Sequence, residues 1–131
     1  MRHVIALDVG GTGMKAALVG TDGTLLHEAR RATGRERGAD AVVETILAFA
    51  ADLRAHGEEH LGESAVAAGV AVPGIVDAEK GIAVYAANLG WRDVPLRALL
   101  TERLGVPVAL GHDVRTGGLA EGRIGAGRGS D

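Results

Sequence analysis

The 131-residue chain has the length of one domain, with 47% apolar residues, 2% aromatic ones and a formal charge of −3, so it can fold without staples around a core of Ala, Val, Leu and Ile. Its Arg and Lys are scattered among acids, which excludes the electrostatic footprint of a nucleic-acid binder, and the absence of cysteine excludes disulfides and thiolate metal sites and fits a reducing, cytoplasmic setting. Strand-like residues begin by His3, leaving no room for a signal peptide, and the longest apolar run, Ala65 to Val76, is too short and too broken by Gly and Pro to span a bilayer, so a soluble protein with no membrane partner is expected.

His3 to Val9 reads as a buried strand and Met14 to Gly20 as a second, ended by the turn Thr21-Asp22-Gly23-Thr24; Leu25 to Ala32 reads as a third. Between the first two lies "GGTG". Gly11, Gly13 and Ala16 also spell G-x-G-x-x-A, the fingerprint of a dinucleotide-binding strand-turn-helix unit. Only Met14 to Gly20 separates that turn from the next, whereas a parallel crossover needs ~10 residues or more. A hairpin is therefore expected, and the fingerprint is accidental. Asp8 agrees, because an acid at the end of the first strand repels a bare pyrophosphate unless a metal ion stands between them.

Asp40 is placed as a helix N-cap, followed by Val42, Val43, Ile46, Leu47, Phe49, Ala50 and Leu53 at helical spacing, with Gly57 closing the helix. "HGEEH", His56 to His60, matches the inverted metalloprotease motif H-x-x-E-H, but with Gly57 as the stop it reads as a solvated helix end. Ala65 to Val72 reads as a strand ending in Pro73-Gly74, and Gly81 to Ala86 as an extended run after a turn at Glu79-Lys80. Asp93 and Pro95 open a second helix packed through Leu96, Leu99, Leu100 and Leu104 and stopped by Gly105. Pro107 to Leu110 is the fifth strand, and Val114 to Ile124 a glycine-weakened last helix.

In "DVGGTGMK" each part has a physical task. Gly10, Gly11 and Gly13 let a tight turn aim backbone N–H groups at phosphate oxygens with no Cβ in the way. Thr12 adds a hydroxyl donor, Lys15 a cation, and Asp8 can hold Mg2+ directly or through water. The same glycines would serve an ordinary hairpin; an acid, a hydroxyl and a cation in one turn favour phosphate.

With that stretch, "VAVPGIVD" (Val70 to Asp77), "ANLGW" (Ala87 to Trp91) and "VPLRALLTERLGVPVALGHDVRTGGLAEGRIGAG" (Val94 to Gly127), the chain resembles the ROK group of the sugar kinase, Hsp70 and actin superfamily. The resemblance covers essentially the whole chain, with four motifs in the family's order. It implies an α/β, ribonuclease H-like lobe: a five-stranded mixed sheet with helices on both faces. Residues 1–131 would be the amino-terminal lobe of an ATP-dependent, glucokinase-like kinase that phosphorylates a hexose or N-acetylhexosamine at the 6-hydroxyl. The carboxyl-terminal lobe, with its second phosphate motif, adenosine pocket and, in many members, a zinc site, would be absent. On this reading the chain alone is inactive, its cofactors are ATP and Mg2+ with no zinc site of its own, and its uncovered face promotes a homo-oligomer. A non-catalytic sugar-binding or interaction lobe and a fragment of a ROK-type transcriptional regulator are the alternatives.

The resemblance also implies roles. The hairpin residues Asp8, Gly10, Gly11, Thr12, Gly13 and Lys15 would receive the ATP phosphates. Asp113, after the fifth strand, would be the general base on the sugar hydroxyl; as a helix N-cap it would have a structural role compatible with that one. Asn88 would bind sugar hydroxyls and Gly74 would form a backbone wall beside the sugar, while Trp91 is expected to pack. Where the family usually has Asn-Asp, this chain has His112-Asp113; the ring can also donate or accept, with a pH-dependent charge, so His112 bears on which sugar fits.

Overall fold

The computed structural model describes residues 2–111. Three strands open the chain: β1 (His3–Val9), β2 (Gly13–Gly20) and β3 (Leu25–Ala32). β1 pairs β2 antiparallel and β2 pairs β3 antiparallel, so Gly10 to Gly13 turn a hairpin and no helix follows the glycines. The second turn is held by the Asp22 carboxylate, which accepts the Thr24 N–H at 3.0 Å. After a short 3-10 turn (Arg35–Arg37) come helix α1 (Ala39–Leu61), strands β4 (Ala68–Ala71), β5 (Ile75–Asp77), β6 (Ile82–Ala86) and β7 (Trp91–Val94), helix α2 (Leu96–Leu104) and strand β8 (Val108–Gly111).

The main sheet has five strands in the order β3-β2-β1-β4-β8, and β5-β6-β7 form a separate three-stranded sheet. β1, β4 and β8 run parallel, so their carboxyl ends share one edge of the fold, where open α/β sheets place ligands. The mixed five-stranded sheet expected from the sequence is thus present. β5 and β7 were not anticipated, and β4 is shorter than the run Ala65 to Val72.

Alternation along the strands decides which face is covered. The cross-strand pairs Ile5↔Leu18, Leu7↔Ala16 and Val9↔Met14 are buried on one face, together with Ala68, Val70, Val108 and Leu110 of the neighbouring strands. α1 lays Val42, Ile46, Phe49, Ala50 and Leu53 onto this face, and α2 adds Leu96, Leu100 and Leu104. Each of the Val, Ile, Leu and Phe side chains taken fully out of water contributes about 1.5–3 kcal/mol. Both described helices lie on that face; the helix expected over Val114 to Ile124 lies outside the described residues.

α1 departs from its expected bounds at both ends. It begins after Gly38 rather than Asp40, and it runs through Gly57 to a cap at Gly62, whose φ is 83°. Gly57 is a notch rather than a stop: a Cβ there would lie 2.6 Å from Nε2 of His3, and both residues are buried. Close packing of β1 against α1 therefore overrides the low helix propensity of glycine. α2 starts after Pro95 and stops at Gly105 as expected, while Asp93 belongs to β7. Arg54 of α1 donates to the Leu104 carbonyl at 3.0 Å, satisfying one orphan acceptor at the end of α2.

Candidate functional site

The turn between β1 and β2 is tight. Gly10 N–H donates to the Gly13 carbonyl at 2.9 Å, and a Cβ on Gly10 would lie 2.7 Å from that same oxygen, so the close approach requires glycine. The chain returns to brace the turn after β3: Thr33 N–H donates to the Thr12 carbonyl at 3.1 Å, and the Thr33 hydroxyl donates to the Gly10 carbonyl at 2.7 Å. Thr33 is fully buried. No spacing in the sequence marks it, because its role arises only when the end of β3 meets the turn.

Register places the polar side chains. Asp8 faces Lys15 across β1–β2, and Lys15 faces Arg30 across β2–β3; opposed residues share a face, so the three form a row on the face away from the helices. An open cleft of about 590 Å³ lies beside the turn, lined among others by Asp8, Thr12, Lys15, Arg30 and Arg31. Arg31 serves the other face, where its guanidinium bonds Asp52 at 2.8 Å and lies 4.5 Å above the Phe49 ring.

Two residues expected beside a sugar converge on the same end of the sheet. Gly74 follows β4 with φ 87° and lies against β6, where a Cβ would run into the Tyr85 carbonyl oxygen and stand 2.9 Å from Ala86 Cα. Asn88 occupies the turn between β6 and β7, which the Gly90 N–H closes onto the Ala86 carbonyl at 2.9 Å. Its amide reaches the hairpin: a Cβ on Gly11 would lie 2.8 Å from Asn88 Nδ2. The small sheet thus carries Asn88 to Gly11, a juxtaposition that the sequence did not reveal. Trp91 is 1% exposed and belongs to the core. His112 and Asp113 lie outside the described residues; β8 ends at Gly111, beside the end of β4.

Among the described residues no three His, Cys, Asp or Glu side chains are arranged to hold a metal ion. His56 and His60 of the H-x-x-E-H match instead pack ring against ring, tilted by 36° with centroids 4.2 Å apart, and His27 of β3 stacks on His56 at 3.7 Å. Burial, reinforced by the neighbouring His27 and His60, holds His56 below the usual histidine pKa. At the hairpin the donor set is the Asp8 carboxylate and the Thr12 hydroxyl, hard oxygens only, which suits Mg2+ held by one carboxylate with water and phosphate oxygens completing its shell. No described helix is long and apolar enough to cross a membrane.

The ROK family model matches residues 4–131. The chain belongs to the ROK family. It is 37% identical to a glucokinase of Thermotoga maritima over 98% of its own length and 39% of that protein's. It is 26% identical to the xylose repressor of Bacillus subtilis, over 98% of the chain and 33% of the repressor. Among solved structures, a ROK family glucokinase from Streptomyces griseus in complex with glucose and AMPPNP superimposes with a TM-score of 0.74 at 32% identity, covering 98% of this chain and 39% of that one. The ROK chain described here therefore spans about 39% of the length of the glucokinases it matches.

Proposed function

We propose that the chain is the amino-terminal lobe of an ATP-dependent kinase that phosphorylates a glucose-like hexose at its 6-hydroxyl. The observation that carries this reading is the approach of the Asn88 amide to Gly11, which brings a candidate sugar ligand against a candidate phosphate hairpin. The similarity to a glucokinase crystallised with glucose and AMPPNP supports both halves.

On this reading the N–H groups of Gly11, Thr12 and Gly13 and the Thr12 hydroxyl receive donor phosphates, the Gly10 N–H being held by the Gly13 carbonyl, and Lys15 offsets their charge. Asp8 would hold Mg2+, which when bound neutralises charge on the phosphates. Asn88 and the backbone at Gly74 orient the sugar, His112 tunes which secondary hydroxyls fit, and Asp113 accepts the proton of the 6-hydroxyl as the phosphoryl group arrives. Phosphoryl transfer is mostly positioning and charge, so a lobe lacking the opposite wall of the cleft loses alignment that can supply ~7–11 kcal/mol of a barrier. The 131-residue chain by itself is expected to bind hexose weakly and to turn over none.

The test has two arms. Calorimetry on the purified chain should show glucose or N-acetylglucosamine binding that Asn88→Ala abolishes, and a coupled assay with Mg-ATP should show no turnover. In a protein completed by a carboxyl-terminal lobe, Asp113→Asn should lower kcat ~10²–10⁴-fold with little change in sugar affinity. Hexose binding indifferent to Asn88, or near-wild-type turnover without Asp113, overturns the assignment. The similarity to the xylose repressor supports a second reading, a sugar-sensing regulator lobe; hexose binding without any phosphorylation by the completed protein would select it.

A further inference from the structure

Two arginines flank Glu36 in the short turn after β3, and they are used differently. Arg37 folds back over Gly34 and donates to the Thr45 hydroxyl of α1 at 3.0 Å. Arg35 points the other way, toward the hairpin: a Cβ on Gly11 would stand 3.9 Å from Arg35 Nη1 and 2.8 Å from Asn88 Nδ2. Among the described residues neither Arg35 nor Asn88 has a side-chain hydrogen bond or ion pair. The Gly11 position is thus bordered by a guanidinium and an amide N–H, both donors and neither of them acid. A spot rimmed by donors is complementary to a ligand group that only accepts, and a guanidinium next to backbone N–H groups is suited above all to a phosphoryl oxygen.

Position separates Arg35 from the other cations of the hairpin. Lys15 and Arg30 stand in the row on the face opposite the described helices, beside Asp8. Arg35 reaches the tip of the turn on the side of Asn88. On the kinase reading, a cation at that junction is placed for the phosphate nearest the sugar rather than for the body of the donor.

We propose that Arg35 binds the phosphoryl group that passes between donor and sugar, closing the hairpin's anion site on its sugar-facing side. The inference rests on the kinase reading and adds a residue to it. In the transfer, the bond from phosphorus to the donor oxygen breaks as the bond to the sugar oxygen forms, and the hydroxyl proton passes to Asp113. Arg35 keeps its protons throughout and neutralises charge on the oxygens that stay on phosphorus. Its place in the chain explains why the residue carries no motif: it is brought in by the same return of the chain that seats Thr33 on the turn.

Calorimetric titration of the purified 131-residue chain with inorganic tripolyphosphate, and separately with glucose, tests the proposal. Arg35→Gln should raise the tripolyphosphate Kd about 10-fold and leave glucose affinity and Tm unchanged, with Arg35→Lys recovering part of the loss. Arg103→Gln removes the same charge from α2, where Arg103 pairs with Glu44, and should change the Kd less than about 2-fold. Equal effects of the Arg35 and Arg103 substitutions, or no uptake of tripolyphosphate by the wild-type chain, overturn the proposal. An Arg35 effect in a chain that binds no hexose would uphold the anion site and overturn the sugar-kinase reading instead.

Discussion

Replacing Gly74 by alanine separates two costs that the fold keeps distinct. The first is conformational: an L side chain at φ 87° sits in the left-handed region at a cost of ~1–2 kcal/mol. The second is steric, since the new methyl group would overlap the Tyr85 carbonyl oxygen and lie 2.9 Å from Ala86 Cα. Both are backbone atoms of β6, so relief requires moving a strand, and forced overpacking of this kind costs ~1–3 kcal/mol. Together they destabilise by ~2–5 kcal/mol, a large part of the ~5–15 kcal/mol that holds a domain of this size. Gly62 is the control, because its φ of 83° carries the same strain while a Cβ there meets nothing within 4 Å. Urea denaturation followed by circular dichroism should therefore place Gly62→Ala ~1–2 kcal/mol below wild type and Gly74→Ala at least ~1 kcal/mol further down. Equal losses in the two variants would refute the idea that β6 closes over Gly74.

Gly11→Ala crowds the flexible end of Asn88, at 2.8 Å, and meets Arg35 Nη1 at an ordinary 3.9 Å, so it should cost less than ~1 kcal/mol of stability while displacing the amide; calorimetry should find hexose binding weakened at least ~5-fold, and unchanged binding would separate Asn88 from the sugar. Thr33→Val removes the hydroxyl that bonds the Gly10 carbonyl and should destabilise by ~1–2 kcal/mol in urea titration, with Thr33→Ser restoring most of it; a neutral Thr33→Val would show that the brace is dispensable. His56, stacked on His27 and packed against the tilted ring of His60, has a folded-state pKa below the ordinary 6.5, so the unfolded chain takes up a proton there more readily and stability falls as pH drops from about 6.5 toward that lower value. Thermal melts should show the wild-type Tm declining over that window more steeply than that of His56→Gln, and parallel profiles would contradict the contribution of the stack.

The opening strands were legible because local rules decide them. Too few residues separate the two turns for a crossover helix, so the hairpin follows from spacing, and α2 follows from Leu96, Leu100 and Leu104 between Pro95 and Gly105. Gly57 misled because propensity treats it as a stop, whereas its missing Cβ admits the His3 ring from a strand far earlier in the chain. β5 and β7 are too short to carry a period and exist through pairing with β6. Of the candidate site, the hairpin residues and Asp8 were readable from residue type and spacing; Asn88 and Gly74 came from motif resemblance, and their convergence on the hairpin end depends on the second sheet. Thr33 and Arg35 left no mark, since a single threonine and a single arginine after a strand mean nothing until the chain folds back over the turn.

One edge of the main sheet is β3, and it is built to refuse a further strand. Its outward residues include Glu28 and Arg30, and the register shift between Leu18 and Val19 interrupts its ladder with β2 near the start. Charged side chains and a local irregularity are the devices by which exposed strands resist stacking against copies of themselves. The largely aliphatic hairpin strand β2 is therefore kept off the edge, with the charged strand beside it as its cover, much as a selvedge keeps woven cloth from unravelling into its neighbour.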